Sequence, residues 1–235
     1  MAMVDDLQDL ANRTLAALDA SHDYFTYTKR VWRLLQKLVK GGEKLNFRND
    51  ATGTKVNERT LAGRGQIYVS VYLMSSTFQH LVSLFEDFFF DLLRMWLAAY
   101  PHSLSRKQLE FGTVLKASDK AAIVLAVVDK ELNELKYEGL ADWFSYLDRL
   151  VKLGCPTADE IERLAEIKAS RDILVHNKGI ANAAYVTKAG SRARFQDGAK
   201  LRVPERYHRE SWETIKKVVG DVSAAAIAKA PPSQP

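Results

Sequence analysis

Arg171 and His176 are the residues of this chain whose types and spacing best suit chemistry on a phosphate. They sit in the string Arg171-Asp172-Ile173-Leu174-Val175-His176-Asn177-Lys178-Gly179, where three aliphatics that favour burial interrupt groups that favour water, a partner or a substrate. On a helix, a five-residue separation turns two side chains about 140° apart and sets them about 7.5 Å apart along the axis. They share one broad side, and the long guanidinium can close the gap, so a single phosphodiester can touch both. Arginine offers a planar fork to phosphate oxygens and keeps its charge. Histidine exchanges protons near neutral pH. A competing arrangement fits the same residues: Arg171 pairs with an acid such as Glu86 or Asp172, and His176 caps its own helix.

The elements that must position this pair are helices. Apolar spacing of three and four residues dominates and predicts an all-α antiparallel bundle with one long central helix. A first helix is expected over 5–20 and a second over 23–39, stopped by Gly41-Gly42. Residues 43–65 are polar and glycine-bearing. Lys44 to Arg48 and Thr54 to Glu58, flanking Asp50-Ala51-Thr52-Gly53, form the pattern of a small β-hairpin insertion at about 43–60. The central helix is expected over 66–100, with Ile67, Val71, Met74, Phe78, Leu81, Phe85, Phe88, Leu92 and Met95 on one stripe and Pro101 as its stop. Helices over 118–135, 139–153 and 157–177 follow, the last opened by the capping-box residues Thr157 and Glu160 and closed by Gly179. A short helix over 181–188, a basic loop over 189–207 and a final helix over 210–228 complete one domain over 1–229, with a disordered tail at 230–235.

Composition excludes several classes. With 47% hydrophobic and 27% charged residues, the chain reads as an ordinary globular protein. Cys155 is its one cysteine, so no intramolecular disulfide can form and a cytoplasmic location is expected. Asp5, Asp6 and Asp9 do not read as a secretion signal, and Gln79, His80, Glu86, Asp87, Asp91 and Arg94 interrupt the most apolar stretch too often for a membrane span. Gly63-Arg64-Gly65 lacks the rest of a phosphate-binding loop, and no GxSxG elbow is present. The histidines His22, His80, His102, His176 and His208 are scattered without metal-ligand spacing, so neither metal nor cofactor is expected. The net charge is +5, and the stretch from Lys178 to Arg209 holds eight Lys or Arg against Asp197 and Glu205 alone. That stretch is either a solvated loop or a surface that tracks phosphates.

The nine-residue string, with Tyr185 six residues beyond it, resembles the signature of the HEPN superfamily, the higher eukaryotes and prokaryotes nucleotide-binding domains. The likeness lies in an arginine, a polar residue, three further positions and a histidine, then Asn177, a spacer and Gly179. A long amphipathic helix carrying Phe85-Glu86 precedes it, and the similarity covers roughly residues 66–188. The resemblance implies a metal-independent endoribonuclease, an effector of toxin–antitoxin or antiviral defence, with a homodimer bringing two Arg/His sets into one cleft. It implies RNA as substrate and a cognate antitoxin or defence-system protein as partner. His176 would be general acid/base, Arg171 would stabilise the phosphorane, and Asp172, Asn177 and Glu86 would support them. The likeness does not explain the basic loop; read from its charge as a surface that tracks phosphates, Lys178, Lys188, Arg192, Arg194, Arg202 and Arg206 are the residues expected to contact RNA. Non-catalytic members also exist, so a dimeric module that only binds RNA, a nucleotide or a partner protein is the alternative.

Overall fold

No glycine or proline interrupts residues 2–40, and the stretch forms one helix, α1 (Ala2–Lys40). The break expected near Ser21 does not occur. Ser21 is buried and the His22 ring stacks on Trp212 at 4.1 Å, so packing runs straight through the junction. Gly42, at φ 90°, ends the helix, with the Glu43 amide donating to the Leu38 carbonyl at 3.1 Å. The structure, a computed structural model, describes residues 2–45, 47–104 and 107–230; the expected tail beyond Ala230 lies outside them, as does Asn46 in the expected hairpin. That hairpin shrinks to a single antiparallel bridge between Arg48 and Lys55. Asn49 takes the amides of Ala51 and Thr52 on its side chain, which favours a tight turn over extended pairing.

Helix α2 (Glu58–Ile67) starts eight residues before the expected start of the central helix, because Asn57 caps it by accepting from the amides of Arg59 and Thr60. It carries Gly63 and Gly65 without stopping. Gly65 lies under Trp32, where a Cβ would approach the indole to 2.6 Å. One π-helical segment (Tyr68–Leu73) leads into α3 (Met74–Ala99), which ends before Pro101 as expected. Then come α4 (Phe111–Lys116), which the sequence reading missed, α5 (Lys120–Lys136), α6 (Leu140–Val151), α7 (Ala158–His176), α8 (Ala183–Ala189) and α9 (Glu205–Lys229). The last begins directly after Pro204, earlier than expected.

Helix α3 is the centre of the bundle and touches α1, α5, α7 and α9. Phe78, Leu81, Phe85, Phe89, Leu92 and Leu93 are almost wholly buried, each contributing about 1.5–3 kcal/mol. Pairs such as Arg13 with Asp91 and Trp32 with Tyr68 show that α1 runs antiparallel to α3. Lys29 with Glu205 and Lys216 with Asp19 show the same for α1 and α9. Helix α7 opens on the expected capping box, the Thr157 amide donating to Glu160 Oε2 at 2.8 Å and the Glu160 amide to Thr157 Oγ1 at 3.3 Å. Its other end turns sharply: Lys178 and Gly179 are left-handed (φ 54° and 72°), and the Gly179 amide donates back to the Ile173 carbonyl at 2.9 Å. The loop before α9 is then laid against this exit, with the Leu201 amide donating to the Gly179 carbonyl at 2.8 Å.

Candidate functional site

A groove of about 670 Å³ runs between α3, α7 and α8, and Glu86, Arg171, Asp172, His176, Asn177 and Lys188 all line it. Two chain segments 85 positions apart meet there. Glu86 is on α3 and Arg171 on α7, and Arg171 Nη2 is ion-paired to Glu86 Oε2. Arg171 Nη1 also donates to Asp172 Oδ1 at 2.9 Å. Lys168, one turn earlier on α7, reaches Asp172 at 3.0 Å and Glu86 at 3.4 Å while lying over the Trp143 ring. Two cations and two carboxylates therefore alternate in a mostly buried cluster, and only Arg171 Nε is left buried without a partner. The arrangement fixes the guanidinium rigidly, since a fork held by two carboxylates has little freedom left.

Arg171 is thus paired with both acids that the competing arrangement names. His176 does not follow that arrangement. Its side chain is exposed, and it makes no hydrogen bond with any described residue. The end of α7 is closed by backbone bonds of Asn177 and Gly179, and Asn177 Nδ2 donates to the Ile180 carbonyl at 2.5 Å. Asn177 therefore braces the turn that follows the motif.

The rim adds groups the sequence reading did not select. Tyr137 is 88% exposed and lines the groove together with Lys136, and Lys188 lines the same groove. Among the described residues neither Lys136 nor Lys188 has an ion-pair partner, so both charges are available to a ligand. Lys168 was visible in principle, being four residues before Asp172 on the same helix face. Nothing local marks Lys136 or Tyr137, because a helix end 34 residues before Arg171 reveals its neighbours only once the chain is folded.

The basic loop behaves differently from what its composition implied. Arg192, Arg194 and Arg206 line a separate groove with Glu166, Tyr207 and Glu210, so they do not flank the Arg171–His176 groove. Arg192 is ion-paired to Asp159 and lies 3.5 Å from Glu162, while Arg206 meets Glu210 at 2.6 Å. Arg194 Nε donates to Glu166 at 2.9 Å, and its guanidinium covers the Tyr207 ring at 3.3 Å. Glu166 is buried and also accepts from Ser170, Tyr185 and Tyr207. Arg194 is the charge that this carboxylate requires. Tyr185, whose hydroxyl completes that network, has its own ionisation pushed up, mainly by burial. Lys178 is exposed beside the site, and Arg202 is exposed and lines neither groove.

Among the described residues, no three His, Cys, Asp or Glu side chains come together as a metal site, and no helix is long and apolar enough to cross a membrane. Neither protein-family models, nor curated proteins, nor solved structures yield a match to this chain.

Proposed function

We propose that the chain is a metal-independent endoribonuclease of HEPN type, acting as an effector in toxin–antitoxin or antiviral defence. The observation that carries this reading is the joint presence of a fixed Arg171 and an unbonded, exposed His176 in one groove. His176 takes the proton of a ribose 2′-OH, and the freed oxygen attacks the adjacent phosphorus. The 2′-O–P bond forms as the P–O5′ bond breaks, the proton taken up by His176 is returned to the leaving 5′-oxygen, and the products are a 2′,3′-cyclic phosphate and a 5′-hydroxyl. Arg171, already oriented, stabilises the charge that builds on the phosphorane oxygens. Lys136 and Lys188 offer phosphate contacts at the rim, and Tyr137 offers an exposed ring for a base to stack on. Each chain supplies one Arg/His pair, and a homodimer would bring a second pair to the same phosphodiester.

The test is cleavage of a defined RNA in EDTA by the purified chain, with His176→Ala and a 2′-deoxy substrate beside it. Cleavage should persist in chelator, vanish on the deoxy substrate and fall by about 100-fold or more in the variant. Cleavage of DNA, or loss of all activity with EDTA, would sink the mechanism. One observation favours a second reading, a module that binds without cutting: both carboxylates of the cluster already occupy Arg171. RNA binding unaccompanied by cleavage at any protein concentration would select it.

A further inference from the structure

After Phe25, α1 buries no apolar side chain, yet it continues for four more turns. From Tyr24 onward, Tyr24, Tyr27, Val31, Leu34 and Leu38 all lie exposed, Val31 and Leu34 at 64% and 57%. Their spacings are three, four, three and four residues, which is the seam of a coiled coil, and the seam is roughly 21 Å long at the helical rise. Exposed apolar residues scattered on a surface need no explanation, but a continuous heptad stripe without a facing helix does. Continuity extends to the next element, since Trp32 packs edge-on to Tyr68, and Tyr68 lies beside the exposed Tyr72.

The charges beside the stripe say what fits it. Between Tyr24 and Lys40 there is no acidic residue, whereas Arg30, Arg33, Lys37 and Lys40 are exposed there. Of these only Arg33 approaches a carboxylate among the described residues, Glu205 at 3.8 Å. The wider stretch from Tyr24 to Gln66 holds ten Lys or Arg against three Asp or Glu, a net of +7 in a chain whose total is +5. A second copy laid along the stripe would set Arg30 and Arg33 against themselves near the middle of the seam, because flanking charges choose coiled-coil partners. We infer that this face is the docking site for an acidic amphipathic helix of a partner protein, with leucine-type residues in the seam and Glu or Asp at its flanks. The site is separate from the Arg171–His176 groove, so its fate does not depend on the proposed activity.

The probe is a fluorescent synthetic helix of about four heptads with Leu in the seam and Glu at the flanking positions, beside a scrambled peptide of equal composition. The intact chain should bind it saturably and the scrambled peptide hardly at all. Val31→Glu with Leu34→Glu should weaken binding about tenfold or more, and both sites are exposed, so the fold survives. Arg30→Glu with Lys37→Glu should weaken the acidic peptide and admit one with Lys flanks. Absence of saturable binding, or equal binding of the scrambled peptide, overturns the inference. So does a dimer in light scattering that Val31→Glu abolishes, or binding to phosphatidylglycerol vesicles through these residues while the peptide fails.

Discussion

Removing Arg171 and removing His176 should cost the molecule very different amounts, and the difference decides which variant reports on chemistry. Arg171→Ala leaves Glu86 and Asp172, both mostly buried, to share Lys168 alone. An orphaned carboxylate of this kind destabilises by about 1–3 kcal/mol once the residual exposure is discounted. His176 is exposed and unbonded, so His176→Ala should stay within about 0.5 kcal/mol of the parent in urea unfolding. Equal losses would mean that the four-charge cluster contributes nothing. A loss of cleavage in Arg171→Ala is therefore ambiguous, and the same loss in His176→Ala is not. Both acids that hold Arg171 were legible beforehand: Asp172 is its neighbour, and Glu86 was marked as a partner by the Phe85-Glu86 step of the central helix. Lys168 was overlooked because the string that drew notice began three residues after it.

Helix α7 has two working faces, and only one of them announced itself. Its capping box and its glycine stop are local signals, and both ends fell where Thr157 and Gly179 put them. The opposite face holds Asp159, Glu162 and Glu166, which take up Arg192 and Arg194 from a loop some 30 residues on. Counting charge along the loop alone made it look free and basic, since its neutralising acids belong to another element. Arg194→Gln should accordingly destabilise by about 1–3 kcal/mol, because Glu166 then keeps hydroxyl donors but no cation. The salt dependence of RNA binding should not change; a slope lower by about one unit would restore Arg194 as a phosphate contact. The fused α1 and the passage of α2 through its glycines were hidden for a related reason. Trp212 against His22 is a tertiary contact that carries α1 past a weak local break, and Trp32 over Gly65 holds α2 through its glycines. The start of α2 at the Asn57 cap was itself a local signal.

Across the whole molecule, the junction of α1, α3 and α9 makes stability depend on pH. His208 of α9 is fully buried, stacked on Phe25 of α1 at 4.2 Å and 2.8 Å from Thr77 Oγ1 of α3, with its Nδ1 unpartnered. Burial lowers its pKa to about 4, and His22 opposes its charge further; Glu205 pulls the other way and Lys29 adds to the lowering. His22 is also shifted down, chiefly by burial. Both rings therefore resist a proton that the unfolded chain accepts near 6.5. The unfolded state binds more protons within that window, so stability is full above about pH 6.5 and drains as pH falls toward 4. For His208 the span corresponds to about 3 kcal/mol. At lower pH a second loss follows from Glu160, held down to about 2 by Lys217 and the Thr157 amide, and from Glu205, held down by Lys29. Urea midpoints taken from about pH 7.5 to about pH 4.5 should fall steadily in the parent and more shallowly in His208→Gln. The readout is the slope, because the variant's own midpoint shifts for reasons of packing. An unchanged slope would remove His208 as the titrating group and leave His22 to account for the loss above about pH 4.5, since the carboxylates act only below it.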